Sequence, residues 1–229
     1  MAAAGPMATA MDDARLLTLA NWLSPAYPIG AFAYSHGLEQ AIADGVVADR
    51  ATLEDWLERC LIDGAGRNDA LLLGAAWRAV AAGDPAALAA AAETATALCP
   101  SAERRFETLT QGDAFRRMVV AVHDLSLRWP EMVPYPVAVG AAAAALGHPR
   151  APAAALFVQS FAANLISAAL RLVPLGQTDG QRALARLQPA ILEAAEASEQ
   201  GLEDLGGCAL LADIAAMRHE TLPIRLFRT

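Results

Sequence analysis

The chain has 229 residues, and its net charge of −8 excludes a general nucleic-acid-binding protein, which needs a basic face. All 17 of its basic residues are arginine, so the sequence contains neither a Walker A phosphate-binding loop nor a lysine for Schiff-base chemistry. A hydrophobic content of 55%, dominated by alanine and leucine, indicates a helical globular protein with a sizeable core.

The N-terminal end predicts a short flexible segment followed by a helix. Residues 1–11 have neither the basic region nor the long apolar run of a secretory signal, and we expect them to be disordered. Asp12 or Asp13 can cap a first helix that runs to about Trp22. The remainder, 12–217, is predicted to form one domain.

Helix-start signals recur in the next part of the chain. Ser35 can cap a short helix, and Thr52 with Asp55 three residues later resembles a capping box. After an interruption by glycines, Asn68 or Asp69 can cap a further helix.

The middle of the chain continues this pattern. Asp84 followed by Pro85 predicts a turn and a helix start, and Ser101 predicts the cap of a helix that reaches about Leu127. Residues 137–146 are small and favour a closely packed helix.

The last third holds a long apolar run, 153–173, whose polar residues Gln159 and Asn164 favour a buried core helix over a membrane span. A helix over 181–198 should be kinked or split by Pro189. The final predicted helix covers 202–217. Because no run alternates with the period of a strand, we predict a single all-α domain, a compact multi-helix bundle.

No catalytic or cofactor-binding motif is visible, and we predict that the chain is not an enzyme. Three widely spaced cysteines fit reduced thiols of a cytoplasmic protein rather than a disulfide framework. The histidines form no zinc-binding pair. One open hypothesis is a transient nickel or zinc site formed by His36, Cys208 and His219, although histidines at unrelated spacings are more often packing residues.

The loop after the first helix concentrates prolines, glycine and aromatic residues in a chain otherwise poor in them. Two interpretations remain open: the aromatic rings fill the core, or the loop forms a rigid surface with a functional role. The candidate residues are Pro28, Gly30, Phe32, Tyr34, Ser35, His36 and Glu39.

The C-terminal segment 218–229 combines three arginines with one glutamate and with the hydrophobic residues Ile224, Leu226 and Phe227. We expect these hydrophobic side chains to be exposed on a tail that orders on a partner; the alternative is a frayed terminus. The candidate partner-binding residues are Arg218, His219, Glu220, Thr221, Arg225, Leu226, Phe227 and Arg228.

Four motifs in order resemble those of the urease accessory protein UreF family along nearly the whole chain. They are SPxxPIGAFxYSHGLE from Ser24, the pattern of Arg104, Gln111 and Gly112 in a central helix, RLVPLGQ from Arg171, and HET…RLFR from His219. Without the resemblance, Arg104 and Gln111 are typical of a solvated helix face. Two departures from the family pattern are 222–224 and Thr229.

The resemblance implies an all-helical, commonly homodimeric protein that is not a hydrolase. Proteins of this family bind UreD (UreH in some organisms) and recruit the GTPase UreG, and the assembly loads nickel into apo-urease. This implies that the chain needs no cofactor of its own, because the partners handle nickel and GTP, and that the aromatic loop faces a partner or lines a route for nickel. The acidic net charge and the polar residues of 153–173 predict that the chain binds neither nucleic acid nor membrane. An alternative is that Arg225 or Arg228 regulates or activates GTP hydrolysis by UreG.

Overall fold

The computed structural model describes residues 12–229, so the expected flexible segment 1–11 lies outside the described residues. Between 12 and 229 the regular structure is helical and contains no strand, which confirms the predicted all-α class. The α-helices are, in chain order, α1 (Asp13–Trp22), α2 (Leu38–Ala43), α3 (Arg50–Ile62), α4 (Ala65–Ala81), α5 (Pro85–Ala97), α6 (Ala102–His123), α7 (Tyr135–Ala145), α8 (Arg150–Leu172), α9 (Gln177–Arg186), α10 (Gln188–Glu196) and α11 (Leu210–His219).

Helices α4 and α7 form the centre of the bundle. They approach so closely that a Cβ atom on Gly140 of α7 would lie 2.1 Å from the carbonyl oxygen of Leu73 in α4. Only glycine permits this approach, which explains the small residues of α7. Helices α5, α8 and α10 then pack around α4, and α6 packs on α7.

The core has two parts. The larger part includes Trp22 and Phe115, whose rings meet edge to face with centroids 5.4 Å apart. The smaller part fills the space between α4, α5 and α7 and includes Leu72, Leu88 and Val137.

Several local predictions are confirmed. Asp12, Asp84 and Ser101 accept backbone N–H hydrogen bonds in the first turns of α1, α5 and α6 at 2.8, 3.0 and 3.1 Å. The predicted split at Pro189 is also confirmed, because α9 and α10 meet at Leu187.

The predicted starts of α3 and α4 are wrong. The cap of α3 is Asp49, which accepts a hydrogen bond from the Thr52 backbone N–H at 2.9 Å, so Thr52 lies inside the helix rather than before it. Helix α4 begins at Ala65 instead of near Asn68. Gly66, which the sequence predicts to interrupt the helices, is part of α4. Glycine is needed at this position because a Cβ there would lie 2.7 Å from the Cα of Leu61.

Other predicted boundaries also need correction. The cap of α2 is Gly37 rather than Ser35. Helix α6 ends before Leu127 because Asp124 adopts a left-handed conformation with φ of +49°. Helix α11 begins eight residues after 202, since Leu202–Asp204 is only a short 3-10 turn and Gly207, with φ of +76°, belongs to irregular chain.

Helix α8 is the one described helix long and apolar enough to cross a membrane, and half of its apolar window is buried inside the protein. It packs against α2, α3, α7 and α10. Its Asn164 amide donates a hydrogen bond of 3.3 Å to the carbonyl oxygen of Tyr34. These contacts are those of the core helix that its polar residues predict.

Candidate functional site

The aromatic loop between α1 and α2 has both buried and exposed aromatic side chains. Tyr27 and Tyr34 are buried, as the core-filling interpretation predicts, whereas Phe32 is 73% exposed. Pro28 is exposed as well. Gly30 has φ of +75°, and this left-handed turn directs the following residues along the surface before Tyr34 returns to the core.

The chain then turns sharply into α2 through a buried Ser35-His36-Gly37 sequence. His36 has a positive φ of +59°, which is uncommon for a residue with a side chain, and Gly37 follows with +78°. A Cβ on Gly37 would lie 2.7 Å from the backbone nitrogen of Ala216, so glycine also allows α11 to pack against this turn.

The C-terminal segment lies on this turn. Phe227 and Thr229 are 4% and 1% exposed, so the expectation that Phe227 is exposed is wrong. Ile224 and Leu226 are 88% and 53% exposed, as expected. The Arg171 guanidinium covers the Phe227 ring at 4.6 Å from its centroid, a cation–π contact.

Glu39 in α2 binds the backbone of this segment. Its carboxylate accepts hydrogen bonds from the backbone N–H groups of Leu226 at 2.7 Å and Phe227 at 3.0 Å. On the other side, the carbonyl oxygen of Thr229 accepts from both the backbone N–H and the hydroxyl of Ser35. The two bonds to the Glu39 carboxylate are charge-assisted, and charge-assisted bonds are among the stronger hydrogen bonds in proteins.

His219 connects this site to α6. Its ring is fully buried, with Nε2 3.0 Å from the carboxylate of Glu39 and Nδ1 2.7 Å from that of Glu103. Ionised carboxylates only accept hydrogen bonds, so both contacts are satisfied when both ring nitrogens carry a proton. Arg225 pairs with the second oxygen of Glu103.

The central helix residues contribute to the same cluster. Arg104 and Gln111 are buried, so the interpretation of a solvated helix face is wrong for them. Arg104 pairs with Glu107, and the Gln111 amide donates to the same carboxylate at 3.2 Å. The other Glu107 oxygen accepts the Thr229 hydroxyl at 2.8 Å, which links α6 directly to the C-terminal segment.

The remaining candidates of the C-terminal segment have contacts within the fold. Arg218 forms an ion pair of 2.6 Å with Asp44. Glu220 accepts a hydrogen bond of 2.8 Å from the Ala102 backbone N–H at the start of α6, where negative charge is favourable. The Thr221 hydroxyl donates a hydrogen bond of 3.0 Å to the carbonyl oxygen of Arg218, three residues earlier.

The three residues of the hypothetical metal site are not assembled. His36 and Cys208 line a cavity of about 230 Å³, whereas both nitrogens of His219 bind carboxylates elsewhere. Burial, aided by the charge of Arg104, lowers the pKa of His36 well below its ordinary value. Among residues 12–229, no three His, Cys, Asp or Glu side chains are placed to hold a metal ion.

Sequence reasoning did not identify Glu103, Glu107, Arg171 or Thr229 as site residues. A signal for two of them exists, because Glu103, Glu107 and Gln111 recur every four residues and therefore share one face of α6. No local pattern indicates that Arg171 lies over Phe227.

The fold and this site define a helical protein in which the C-terminal segment is bound by the loop and helix that follow α1. A family model described as UreF matches residues 47–188, and the chain belongs to this family. Curated proteins named urease accessory protein UreF are similar over nearly their full lengths. That of Cereibacter sphaeroides (strain KD131) is 54% identical over 220 residues, covering 95% of this chain and all of the relative. That of Bradyrhizobium diazoefficiens is 46% identical over 235 residues, covering 99% and 96%.

Proposed function

We propose that the chain is a urease accessory protein, a non-catalytic adaptor that bridges UreD (or UreH) and the GTPase UreG during nickel insertion into apo-urease. The observation that supports this most is the similarity to proteins named urease accessory protein UreF over 95% or more of the chain. The motifs that carry the resemblance also converge in one cluster, around Glu39, Glu107 and His219.

A partner surface beside this cluster fits an adaptor. Phe32, Phe106, Ile224 and Leu226 expose more than half of their surface around it, and Arg228 is exposed among them. Exposed aromatic and aliphatic side chains next to arginine are typical of residues that dominate binding energy in interfaces. We assign this surface, together with the exposed Arg225 and the buried Phe227, to the binding of the accessory partners.

Nickel and GTP belong to the partners in this proposal. Nickel is the cargo of the complex, and this chain needs no resident cofactor. The absence of a Walker A loop from the sequence supports the assignment of nucleotide binding to UreG. The proposal includes a cytoplasmic homodimer that acts without nucleic acid or membrane.

The alternative function, regulation of GTP hydrolysis by UreG, depends on a C-terminal arginine. Arg225 forms an ion pair with Glu103, and this contact does not suit an arginine that must move to the phosphates of GTP. Arg228 is favoured for this role, because it is exposed and forms no ion pair within residues 12–229.

Two variants distinguish the functions. We expect Arg228→Ala and Arg225→Ala to weaken the binding of UreG to the complex of this chain with UreD, while GTP turnover by bound UreG stays unchanged. Arg182→Ala is the matched control, because Arg182 is exposed and, within residues 12–229, forms an ion pair only with Asp179, three residues earlier. Normal UreG binding with at least tenfold lower GTP turnover would support the alternative instead.

A further inference from the structure

The C-terminal residues are bound to the rest of the chain in the manner of a peptide in a receptor. The backbone N–H groups of Leu226 and Phe227 donate to Glu39, and the next one, of Arg228, donates to the carbonyl oxygen of Ala33 at 2.8 Å. The carbonyl oxygen of Thr229 completes the series. Binding through consecutive main-chain groups is the usual way in which proteins capture an extended segment.

Two side chains of the segment point into the protein. Phe227 and Thr229 are buried, whereas Arg228 between them is exposed, which is the alternation of an extended strand. The Thr229 hydroxyl both donates to Glu107 and accepts from the His36 backbone N–H at 3.2 Å. The site therefore distinguishes an aromatic residue and, two positions later, a residue with a hydroxyl group.

The receptor side also has a hydrogen bond that does not involve the segment. Ser35 is fully buried, and its hydroxyl also accepts a hydrogen bond of 3.2 Å from the Glu39 backbone N–H, within the turn itself. The positive φ of His36 is a strained conformation that the surrounding packing maintains. Strained backbone of this kind is concentrated at ligand-binding positions.

The linker between α11 and the bound residues makes few contacts. Thr221, Pro223 and Ile224 are exposed, and Ile224 reaches 88%. From Leu222 to Arg225 the side chains make one ion pair, that of Arg225 with Glu103. Such a linker can be opened without disturbing the helices.

We propose that Ala33, Ser35, His36, Glu39, Glu107 and Arg171 form a peptide-binding site, here called the tail seat. Its ligand is an extended segment with an aromatic residue two positions before a serine or threonine. In the intact chain the site holds the chain's own C-terminal residues. A short flexible linker gives an effective concentration of about millimolar, so a free peptide enters only after the own segment has been released. This proposal does not depend on a role in urease maturation.

The test uses the full chain with a protease recognition sequence inserted between Pro223 and Ile224. After cleavage and dialysis, a fluorescent peptide of residues 224–229 is titrated and its anisotropy is measured. We expect saturable binding to the cleaved protein and at least tenfold weaker binding to the uncleaved protein. Peptides with Phe227→Ala or Thr229→Val should bind at least tenfold more weakly, whereas Thr229→Ser should bind nearly as well as the native peptide.

Equal binding of all four peptides, or no binding to a cleaved protein that keeps its helical circular dichroism, would overturn the proposal. If cleavage unfolds the protein, the same peptides are added in excess before cleavage. The native peptide must then preserve the fold while the Phe227→Ala peptide fails to do so. Unfolding with both peptides would equally overturn the proposal.

Discussion

The carboxylate of Glu39 and the imidazole of His219 lie 3.0 Å apart, although 180 residues separate them in the chain. The same carboxylate binds two backbone N–H groups of the C-terminal segment. One buried side chain therefore fixes helix α2, helix α11 and the last residues of the protein relative to one another.

Replacing this carboxylate should destabilise the protein. Glu39→Gln removes the buried charge and turns one of the two accepting oxygens into a donor that faces donors. We expect the free energy of unfolding to fall by about 2–4 kcal/mol, as for other buried charged hydrogen bonds. Urea denaturation followed by circular dichroism measures the change.

Glu54→Gln is the matched control for this variant, because Glu54 pairs with Arg50 at 3.5 Å within α3 and both side chains are partly exposed. Its effect should stay below about 1 kcal/mol. Equal losses in the two variants would contradict the role given to Glu39.

Gly30→Val should separate assembly from folding. A Cβ at Gly30 would meet nothing within 4 Å, so the main cost is the left-handed backbone with φ of +75°, about 1–2 kcal/mol. Gly45 has the same φ and the same open space, and Gly45→Val should cost as much stability. Only the Gly30 variant should lose co-purification of UreD and UreG. Loss of the complex in both variants would show that strain alone disrupts assembly.

The contact between α4 and α7 should tolerate no side chain at Gly140. Gly140→Ala places a methyl group 2.1 Å from the Leu73 carbonyl oxygen, a backbone atom that cannot move aside. We expect insoluble or unfolded protein. In Gly180→Ala the new methyl group meets a side-chain methyl of Leu170 at 3.0 Å, and this variant should express and melt within a few degrees of the parent. Normal folding of both variants would contradict the described packing.

Asp69 should make stability depend on pH. Burial is the main cause that raises the pKa of this carboxyl group from 3.8 to about 7. The protonated form favours the folded state, so the associated stability is present below pH 4 and is lost as the pH rises to 7. Asp69→Asn should therefore exceed the parent in stability at pH 8, with the gain vanishing near pH 4.

Comparison with the parent cancels the opposite contribution of His36, whose depressed pKa lowers stability below about pH 6.5. Asp63→Asn on the surface is the control and should differ little from the parent at every pH. A gain for Asp69→Asn that is constant from pH 4 to pH 8 would show that ionisation of Asp69 is not its source.

The sequence predicts the fold well where the signal is local. Caps such as Asp84 and Ser101, and the break at Pro189, act within one helical turn, and the structure confirms them. The start of α11 is predicted incorrectly, because apolar spacing in 202–217 resembles a helix, while Gly207 with φ of +76° belongs to irregular chain.

The candidate site could be predicted only in part. The loop residues and the C-terminal residues attract attention as composition anomalies, but their mutual contact depends on tertiary structure. Nothing local indicates that Phe227 is buried under Arg171 or that Arg104 is enclosed beside Glu107. The partner-binding roles of these residues stay predictions.

The proposed function requires this chain for the loading of urease with nickel. The most direct measurement is the nickel content of urease purified from the native host after deletion of the gene for this chain, with and without restoration of the full chain. The proposed function predicts nickel-poor, inactive urease in the deletion strain and full nickel content after restoration. Nickel-loaded, active urease in the deletion strain would contradict it.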